Sequence, residues 1–383
     1  MNHRERVLTT LQHREPDKVP IDIGSSVNNL NDGVYKKVKQ FLGIERGIEQ
    51  FRGLMTSTYY DEKVLELLDV DTRHVWLNDP VEYRAVKDPH FDSTDYTDDW
   101  GARVKKVEGK GAFHVNPPLY PATITDLDSF KWPDPGDPVR VEGLKKRAER
   151  FHHEGEYALV SNIVGHGGLI EHGCYLRGTD QFFIDVALDK KLVHALLARI
   201  TDVFIGLYDV LIGEVGEYLD LVYWAEDFGT QTSLLLSPEM YREFFKHLHK
   251  NIFEFIKRKA PHVKLMFHSC GAVYPIVADL IETGIDILNP LQPLARGMDL
   301  DTLKQEYGNV ISFCGAVDIQ RALPGSLEDV EQEVKLRIRQ LAPGGGYILA
   351  PANYIQNNTP PENVVHMCKT ARSYGVYPIE EAP

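Results

Sequence analysis

The sequence predicts an α/β fold, a (β/α)8 TIM barrel that forms one domain over residues 1–383, with an irregular insertion near residues 79–137. Short β-rich runs alternate with longer helical patterns, which is typical of parallel strands joined by helical crossovers. The count of such runs is eight, the number that this barrel requires. Barrels of this class accommodate chains of this length when they carry insertions.

Eight segments are expected as barrel strands because each is apolar and β-rich. In chain order they are Val19–Ile23, Thr72–Leu77, Ala158–Ile163, Leu219–Glu226, Val263–His268, Asp286–Leu291, Val310–Gly315 and Tyr347–Pro351. Helical patterns between them include Pro238–Arg258, Val273–Thr283, Leu300–Tyr307 and Leu327–Leu341. Ser237 before Pro238 indicates a helix start, with Ser as the N-cap and Pro in the first turn.

The segment from residue 79 to residue 137 interrupts this alternation. It is rich in Asp, Pro and aromatic residues, and it predicts a small β-hairpin of Arg103–Lys106 and Ala112–Val115 followed by a Pro-rich return. Two roles are open for it. It either covers the barrel mouth or contacts a partner there, or it is a plain surface loop.

Composition limits the classes of function. The net charge of −14 argues against nucleic acid or an anionic membrane as a partner, because phosphates would be repelled. The start of the chain lacks the apolar segment of a signal peptide, and no apolar run has the length of a membrane span. The four cysteines are widely spaced, so no disulfide framework is expected. We therefore expect a cytoplasmic protein with free thiols.

His268 and Cys270, at the end of the fifth predicted strand, are candidate metal ligands. Side chains two residues apart on a strand point the same way. Imidazole and thiolate together suit Zn²⁺. Gly271 allows the chain to turn sharply after them. The alternative is a packed cysteine beside a histidine at a strand end.

Further polar residues follow the other predicted strands, where a barrel of this class carries its active site. The candidate catalytic residues are Glu226, Asp227 and Asp318, and the candidate substrate-binding residues are His166, Tyr223, Trp224, Gln231, Asn289 and Tyr354. Structural alternatives exist: Glu226 and Asp227 as cap or loop carboxylates, Asp318 as the cap of the next helix, and Cys314 as a small buried side chain. Seven aromatic residues near the strand ends predict an aromatic lining or, alternatively, core packing; they are Tyr59, Tyr60, Trp76, Tyr223, Trp224, Phe313 and Tyr354.

At these residues the chain resembles the uroporphyrinogen decarboxylase superfamily over almost its full length. The motifs that carry the resemblance are Arg4–Pro20, Leu176–Gly178, Asp227–Gln231 with Leu236–Pro238, His268–Gly271, Gly284–Pro290, Gly315–Asp318, Gly344–Ile348 and Thr359–Val364. The resemblance implies a (β/α)8 barrel, in agreement with the strand count.

Two branches of that superfamily imply different activities. The decarboxylases carry an N-terminal arginine-rich segment for the carboxylates of their substrate, whereas Val19–Gly24 holds no arginine. The zinc-dependent corrinoid methyltransferases carry His-x-Cys, matched by His268 and Cys270, and a third ligand expected as a cysteine where this sequence has Asn353. The third ligand here is then Cys314, a carboxylate (Glu226 or Asp227) or Asn353, or the metal is held differently or is absent.

The resemblance favours a methyltransferase that uses zinc and the cobalamin of a partner corrinoid protein. The donor would be a small molecule, with a methoxylated aromatic compound as the leading candidate because of the aromatic residues near the strand ends. The opposite direction, from methylcobalamin to a thiol, stays open, and a homodimer is one assembly that remains open. The rival activities are a decarboxylase of uroporphyrinogen type and a non-catalytic barrel that binds a ligand or a corrinoid.

Overall fold

Seven parallel strands form the central sheet of this chain. The computed structural model describes residues 1–45, 60–85, 88, 90–92, 94–107, 111–154 and 156–379. The described strands are β1 (Thr72–Val75), β2 (Asp95–Thr97), β3 (Arg103–Val107), β4 (Gly111–Val115), β5 (Ala158–Ser161), β6 (Leu221–Ala225), β7 (Lys264–His268), β8 (Ile287–Asn289), β9 (Ser312–Val317) and β10 (Tyr347–Pro351). The central sheet has the order β1-β5-β6-β7-β8-β9-β10, with every neighbouring pair parallel. Almost every residue of the seven strands in the central sheet is buried, as expected where side chains pack on both faces of a sheet.

The first predicted strand, Val19–Ile23, occupies the eighth position but is not a regular strand. Leu349 of β10 donates its N–H to the carbonyl of Pro20 at 2.8 Å, and Asp71, just before β1, donates to the carbonyl of Ile21 at 3.0 Å. The segment therefore bridges the two edge strands and closes the barrel. Pro20 has no N–H, and this loss of a donor prevents a continuous ladder there.

Helices cover the outside of the barrel. The described α-helices are α1 (His3–Thr10), α2 (Asp32–Phe41), α3 (Glu62–Leu67), α4 (Pro80–Ala85), α5 (Asp126–Ser129), α6 (Leu144–Glu154), α7 (Leu169–Arg177), α8 (Thr179–Leu188), α9 (Lys190–Val215), α10 (Pro238–Phe244), α11 (Lys246–Lys259), α12 (Val277–Glu282), α13 (Leu300–Tyr307), α14 (Leu327–Leu341) and α15 (Pro361–Tyr374). Short 3₁₀ turns lie at Pro138–Val141 and Tyr274–Ile276. Ser237 caps α10 as predicted, because its side chain accepts a hydrogen bond from the N–H of Met240. Among the described residues, no helix is both long and apolar enough to cross a bilayer.

A buried carboxylate joins both ends of the chain to the closing segment. Asp71 is fully buried and accepts hydrogen bonds from Arg6 at 2.5 Å, Arg372 at 2.6 Å and the N–H of Ile21 at 2.7 Å. Arg6 lies on α1 and Arg372 on α15. The closed barrel is thus held at one point by the N-terminal helix, the C-terminal helix and the segment between the edge strands.

The insertion is anchored on the barrel. The predicted hairpin is confirmed as β3 and β4, and β2 adds a third antiparallel strand. Trp100 is almost fully buried, with its ring 4.1 Å from that of His172 on α7 and 5.8 Å from that of Phe204 on α9. Burial of a tryptophan at this contact gives the insertion a defined place against the helices.

The alternation of side chains along β6 decides which residues face the barrel interior. Leu221 and Tyr223 belong to the cluster inside the barrel, together with Met266 and Cys314. Trp224 belongs instead to the cluster between the sheet and the helices. The interior therefore receives the side chains at odd positions of β6, as the period of a strand requires.

Candidate functional site

Three donor atoms meet at the carboxyl ends of β6 and β7. Nε2 of His268 lies 3.3 Å from Sγ of Cys270 and 3.6 Å from Oδ1 of Asp227. All three donor atoms lie within 4.8 Å of one another. The side chain of Asp227 is 50% exposed, so solvent reaches the group from the barrel mouth. The prediction that His268 and Cys270 face the same way is confirmed.

The backbone around the group is fixed by strand pairing and by one tight turn. Ala225 of β6 pairs with His268 of β7, which brings the loops after the two strands together. The N–H of Cys270 donates to Oδ1 of Asp227 at 2.8 Å. Gly271 has φ +85°, and a Cβ there would lie 2.4 Å from the carbonyl oxygen of Thr230. Only glycine fits this turn without a shift of the backbone.

His268 is held with one ring nitrogen occupied. Its Nδ1 donates to Oδ1 of Asn289 at 2.6 Å, which leaves the lone pair of Nε2 directed toward Cys270 and Asp227. Burial lowers the pKa of His268, against the charge of Asp227 and the bond to Asn289, both of which raise it. A neutral imidazole with one N–H engaged is the form that ligates metals.

Cys270 lies in a mixed environment. Burial raises the pKa of its thiol well above the ordinary value, and the charge of Asp227 raises it further. The side chain of Asn353 opposes this by donating from Nδ2 to Sγ at 3.0 Å. Asn353 therefore lies where a third ligand was expected, but it faces the sulfur with a donor group. A bound cation would favour the thiolate, because a coordinating thiol is deprotonated.

The donor set and its spacing fit a zinc ion. Ligands about 2.0–2.3 Å from Zn²⁺ in tetrahedral geometry lie roughly 3.3–3.8 Å from each other. The separations of Nε2 of His268 from Sγ of Cys270, 3.3 Å, and from Oδ1 of Asp227, 3.6 Å, fall in that range. One nitrogen, one sulfur and one carboxylate oxygen would leave a fourth position open, as in catalytic zinc sites. Asp227, His268 and Cys270 could hold such an ion.

Two other candidate ligands lie apart from this group. Cys314 is fully buried inside the barrel, and its Sγ accepts from Nδ2 of Asn28 at 3.4 Å. Glu226 is also fully buried; its Oε1 accepts from the N–H of Ile170 at 2.6 Å, and its Oε2 lies 2.5 Å from Nε2 of His249. The expectation that Cys314 or Glu226 is the third metal ligand is therefore corrected, because both side chains make contacts in the core. Of the residues considered for this position, Asp227 is the one that lies beside His268 and Cys270.

Residues 91–374 match the family model described as uroporphyrinogen decarboxylase (URO-D). The chain belongs to the uroporphyrinogen decarboxylase family. Over 275 residues it is 26% identical to uroporphyrinogen decarboxylase 2, chloroplastic, of Arabidopsis thaliana, a match that covers 70% of this chain and 64% of the plant protein. The resemblance seen in the sequence motifs is confirmed at the level of the family.

A solved structure shows the same fold. A methyltransferase from Methanosarcina mazei superposes with a TM-score of 0.67 at 18% sequence identity, covering 98% of this chain and 99% of that one. The predicted barrel class is therefore confirmed for this member of the uroporphyrinogen decarboxylase family.

Two predicted site residues of this family member have structural roles. Asp318 accepts hydrogen bonds from the N–H groups of Gln320 at 2.8 Å and Arg321 at 3.1 Å, so both carboxylate oxygens cap the turn after β9. Trp224 faces the helices and donates from Nε1 to Glu226 at 3.2 Å. The expectations of catalysis for Asp318 and of substrate contact for Trp224 are corrected, because Asp318 caps a turn and Trp224 bonds to a buried carboxylate between the sheet and the helices.

Two further predicted substrate contacts are buried in the barrel interior. Asn289 is fully buried, and its amide bonds to Tyr223, His268, Asn28 and the carbonyl of Cys314. These four bonds use the full capacity of the amide. Tyr223 is also fully buried and donates to Asn289 at 2.6 Å. Both residues support His268 rather than contact a substrate.

Gln231 and Tyr354 remain at the mouth. Gln231 is exposed on the loop after β6 and donates to Gln292 at 2.6 Å. Tyr354 is partly exposed on the loop after β10, and its hydroxyl donates to the carbonyl of Ser26. The structure leaves both side chains within reach of a ligand at the barrel mouth.

The aromatic residues expected near the strand ends do not form a single lining. Tyr59 lies outside the described residues. Tyr60 stacks on Tyr35 with ring centroids 4.4 Å apart, and Phe313 is fully buried between the sheet and the helices. Trp76 lines a polar cavity at the mouth, beneath the insertion. Tyr60 and Phe313 are therefore packed against helices and do not line a common pocket.

His166 lies at the junction between the barrel mouth and the insertion. It lines the polar cavity and also a groove of about 620 Å³ whose walls include His114 and Tyr175, stacked 3.8 Å apart. Its Nε2 lies 3.6 Å from Asp79 and 3.9 Å from Glu82. His166 therefore lines two adjoining cavities, and its role in substrate binding stays a prediction.

The acidic neighbours of His166 make stability depend on pH. Burial acts to lower the pKa of His166, but the ion pair with Asp79 and the charge of Glu82 outweigh it and raise the pKa to about 9. Because the folded pKa is above the unfolded value of about 6.5, the stabilisation is complete below about pH 6.5 and is lost as pH rises through about 9. The loss should amount to roughly 3 kcal/mol.

Urea unfolding of the wild type and of His166→Gln from about pH 6 to about pH 10 measures this effect. The wild type should lose more stability over that range than the variant. Parallel curves for the two proteins would show that His166 is not the titrating group.

Glu171 was not anticipated from the sequence. Its Oε1 accepts from the N–H of Asp227 at 2.7 Å, and its Oε2 accepts from the N–H of Gly168 at 2.8 Å. Burial raises its pKa well above the ordinary value, and the charges of Glu226 and Asp227 raise it further. Its position three residues after Gly168 gives only half of a capping-box signal, because glycine has no side chain to complete the box. Glu171 positions the backbone of Asp227 at the edge of the donor group.

Proposed function

We propose that this chain is a zinc-dependent methyltransferase that moves a methyl group from a small donor to the cobalt of a corrinoid protein. The observation that carries the proposal is the group formed by Asp227, His268 and Cys270, whose three different donor atoms lie within 4.8 Å of one another, with the sulfur and the carboxylate oxygen at 3.3 Å and 3.6 Å from Nε2 of His268. Membership of the uroporphyrinogen decarboxylase family and a fold shared with a methyltransferase from Methanosarcina mazei support it.

In the overall reaction, the bond between the methyl carbon and the donor oxygen breaks. The electron pair of a Co(I) corrinoid forms the new bond to the methyl carbon, and the released oxygen takes up a proton. An alkoxide or phenolate is a poor leaving group, so charge must be stabilised where it develops. Zinc, when bound, supplies a Lewis acid for that oxygen.

The residues of the chain have separate tasks in this proposal. His268 presents the lone pair of Nε2, since Nδ1 is engaged by Asn289. Cys270 contributes a sulfur that Asn353 stabilises as the thiolate by donating to it. Asp227 contributes a carboxylate at the exposed side, and Glu171 holds its backbone. The donor, for which a methoxylated aromatic compound is our first choice, would enter from the mouth beside Gln231 and Tyr354.

The charge at the mouth disfavours a polycarboxylated substrate of the decarboxylase type. Three carboxylates, those of Asp79, Glu82 and Asp99, line the polar cavity there and outnumber its two cationic groups, Arg140 and His166. Arg140 is paired with Asp99 at 2.6 Å. Repulsion between these groups and a polyanion would oppose binding. Together with the arginine-free segment Val19–Gly24, this charge pattern supports a small neutral or singly charged donor.

The test combines the purified chain with a Co(I) corrinoid protein and a panel of methyl donors. We expect the corrinoid absorbance to shift toward the methyl-Co(III) form with at least one donor, and the shift to disappear in His268→Ala. No shift with any donor would reject this direction of transfer. Release of CO₂ from uroporphyrinogen would indicate a decarboxylase, and clean protein without stoichiometric zinc would indicate a non-catalytic binding barrel.

A further inference from the structure

A line of buried amides connects Asp22 to His268 across the barrel interior. Nδ2 of Asn28 donates to Oδ2 of Asp22 at 2.7 Å. Nδ2 of Asn289 donates to Oδ1 of Asn28 at 3.1 Å, and Nδ1 of His268 donates to Oδ1 of Asn289 at 2.6 Å. Three hydrogen bonds therefore join a carboxylate near the N-terminus to the imidazole at the end of β7.

Two acceptors, the carboxylate of Asp22 and the carbonyl of Cys314, fix the direction of every bond in this line. An ionised carboxylate only accepts hydrogen bonds, so Asn28 must turn its NH₂ group toward Asp22 and its oxygen toward Asn289. The carbonyl of Cys314 also only accepts, and Nδ2 of Asn289 donates to it at 3.2 Å. Asn289 must then present its oxygen to His268. The ring nitrogen that faces this oxygen carries the proton.

Burial makes the arrangement costly to reverse. Asn28 and Asn289 are fully buried and Asp22 is 1% exposed, so water does not replace a lost partner. Burial acts to raise the pKa of Asp22, but the charge of His74 and hydrogen bonds from its neighbours hold that pKa below the ordinary value. The carboxylate is thus ionised and keeps its role as an acceptor. Turning either amide around would place two acceptors or two donors against each other.

We propose that Asp22, Asn28 and Asn289 form a relay of positioning residues that sets the tautomer of His268, with the proton on Nδ1 and the lone pair of Nε2 facing Cys270 and Asp227. The relay is built from the chain's own hydrogen bonds and does not depend on methyl transfer. A merely structural polar network would support folding without affecting which nitrogen of His268 is protonated.

The first test measures the tautomer directly in metal-free protein. Long-range ¹H–¹⁵N NMR of ¹⁵N-histidine-labelled protein reports the protonation of each ring nitrogen, and the signals of His268 among the 15 histidines are those missing from His268→Gln. The wild type should show His268 protonated at Nδ1. In Asn289→Leu the Nδ1-protonated form should lose its dominance, because the acceptor is gone.

A matched control separates the relay from a general loss of a buried amide. Asn363 is buried at the start of α15 and donates to the carbonyls of Leu323 and Gly325, both at 2.8 Å. Asn363→Leu should lower stability without changing the His268 signals. Zn²⁺ alone should bind Asn289→Leu about 10–100-fold more weakly than the wild type, and Asn363→Leu should bind it as the wild type does.

The far end of the relay is tested by a pair of variants at Asp22. Asp22→Asn retains an oxygen that can accept from Asn28, whereas Asp22→Leu retains none. We expect Asp22→Asn to keep the wild-type tautomer, and Asp22→Leu to populate both tautomers and to bind Zn²⁺ several-fold more weakly. His268 protonated at Nε2 in the wild type, or unchanged in Asn289→Leu or in Asp22→Leu, would overturn the relay. Failure of Zn²⁺ to bind the wild type, with the tautomer as expected, would count against the zinc enzyme and not against the relay.

Discussion

Replacing Cys270 with alanine should weaken zinc binding by about 100-fold or more, since one of the three proposed ligands is removed and structural zinc sites bind with about 10–16 kcal/mol in total. The corrinoid methylation assay should show no activity with this variant. Competition with a chromophoric chelator measures the affinity, and elemental analysis measures the zinc content of protein purified without added metal.

Cys174→Ala is the matched control. Cys174 is a free, partly exposed cysteine on α7, outside the donor group. We expect its replacement to leave zinc affinity within about twofold of the wild type. Equal zinc affinity in Cys270→Ala and the wild type would remove Cys270 from the ligand set, and with it the main support for a zinc enzyme.

Replacing Glu226 with alanine should destabilise the fold by about 3–5 kcal/mol, because it breaks a buried pair and leaves its partners unsatisfied. The side chains of Glu226 and His249 are fully buried, with 2.5 Å between Oε2 and Nε2. Removal of the carboxylate also strands the N–H of Ile170 and Nε1 of Trp224, which bond to it at 2.6 Å and 3.2 Å.

Urea unfolding compares Glu226→Ala with Asp227→Ala, its neighbour. Asp227 is half-exposed, so its replacement should change stability by less than about 1 kcal/mol while lowering zinc affinity. The comparison tests the separate roles that we propose for the two adjacent carboxylates, Glu226 in folding and Asp227 at the metal. A Glu226→Ala protein as stable as the wild type would contradict the structural role that the buried pair implies.

The sequence predicted the strands well because apolar runs flanked by turns are local signals. The first strand was the exception, since Pro20 interrupts its ladder while the long-range pairing with Leu349 still holds the segment in place. Similarly, His268 and Cys270 were identified because a strand alternates its side chains and this needs no knowledge of distant residues.

The role of Cys314 depended on where β9 ends. The sequence predicted that the seventh strand stops at Gly315, which places Cys314 at the rim, whereas β9 extends to Val317 and Cys314 lies within it. The orientation of Trp224 was also beyond the sequence. Alternation along a strand places Trp224 and Tyr223 on opposite faces of the sheet, but it does not say which face lies inside the barrel. Tertiary packing decides that choice.

Closure of the barrel requires the two ends of the chain. Leu349 of β10 pairs with the segment at Pro20, 329 residues earlier, and Asp71 binds arginines from both α1 and α15. During synthesis, the segment Val19–Ile23 and the growing edge of the parallel sheet therefore stay unpaired with each other until β10 has left the ribosome. A nascent chain of this protein should depend on chaperones late in translation, and a stalled chain that ends before β10 should aggregate.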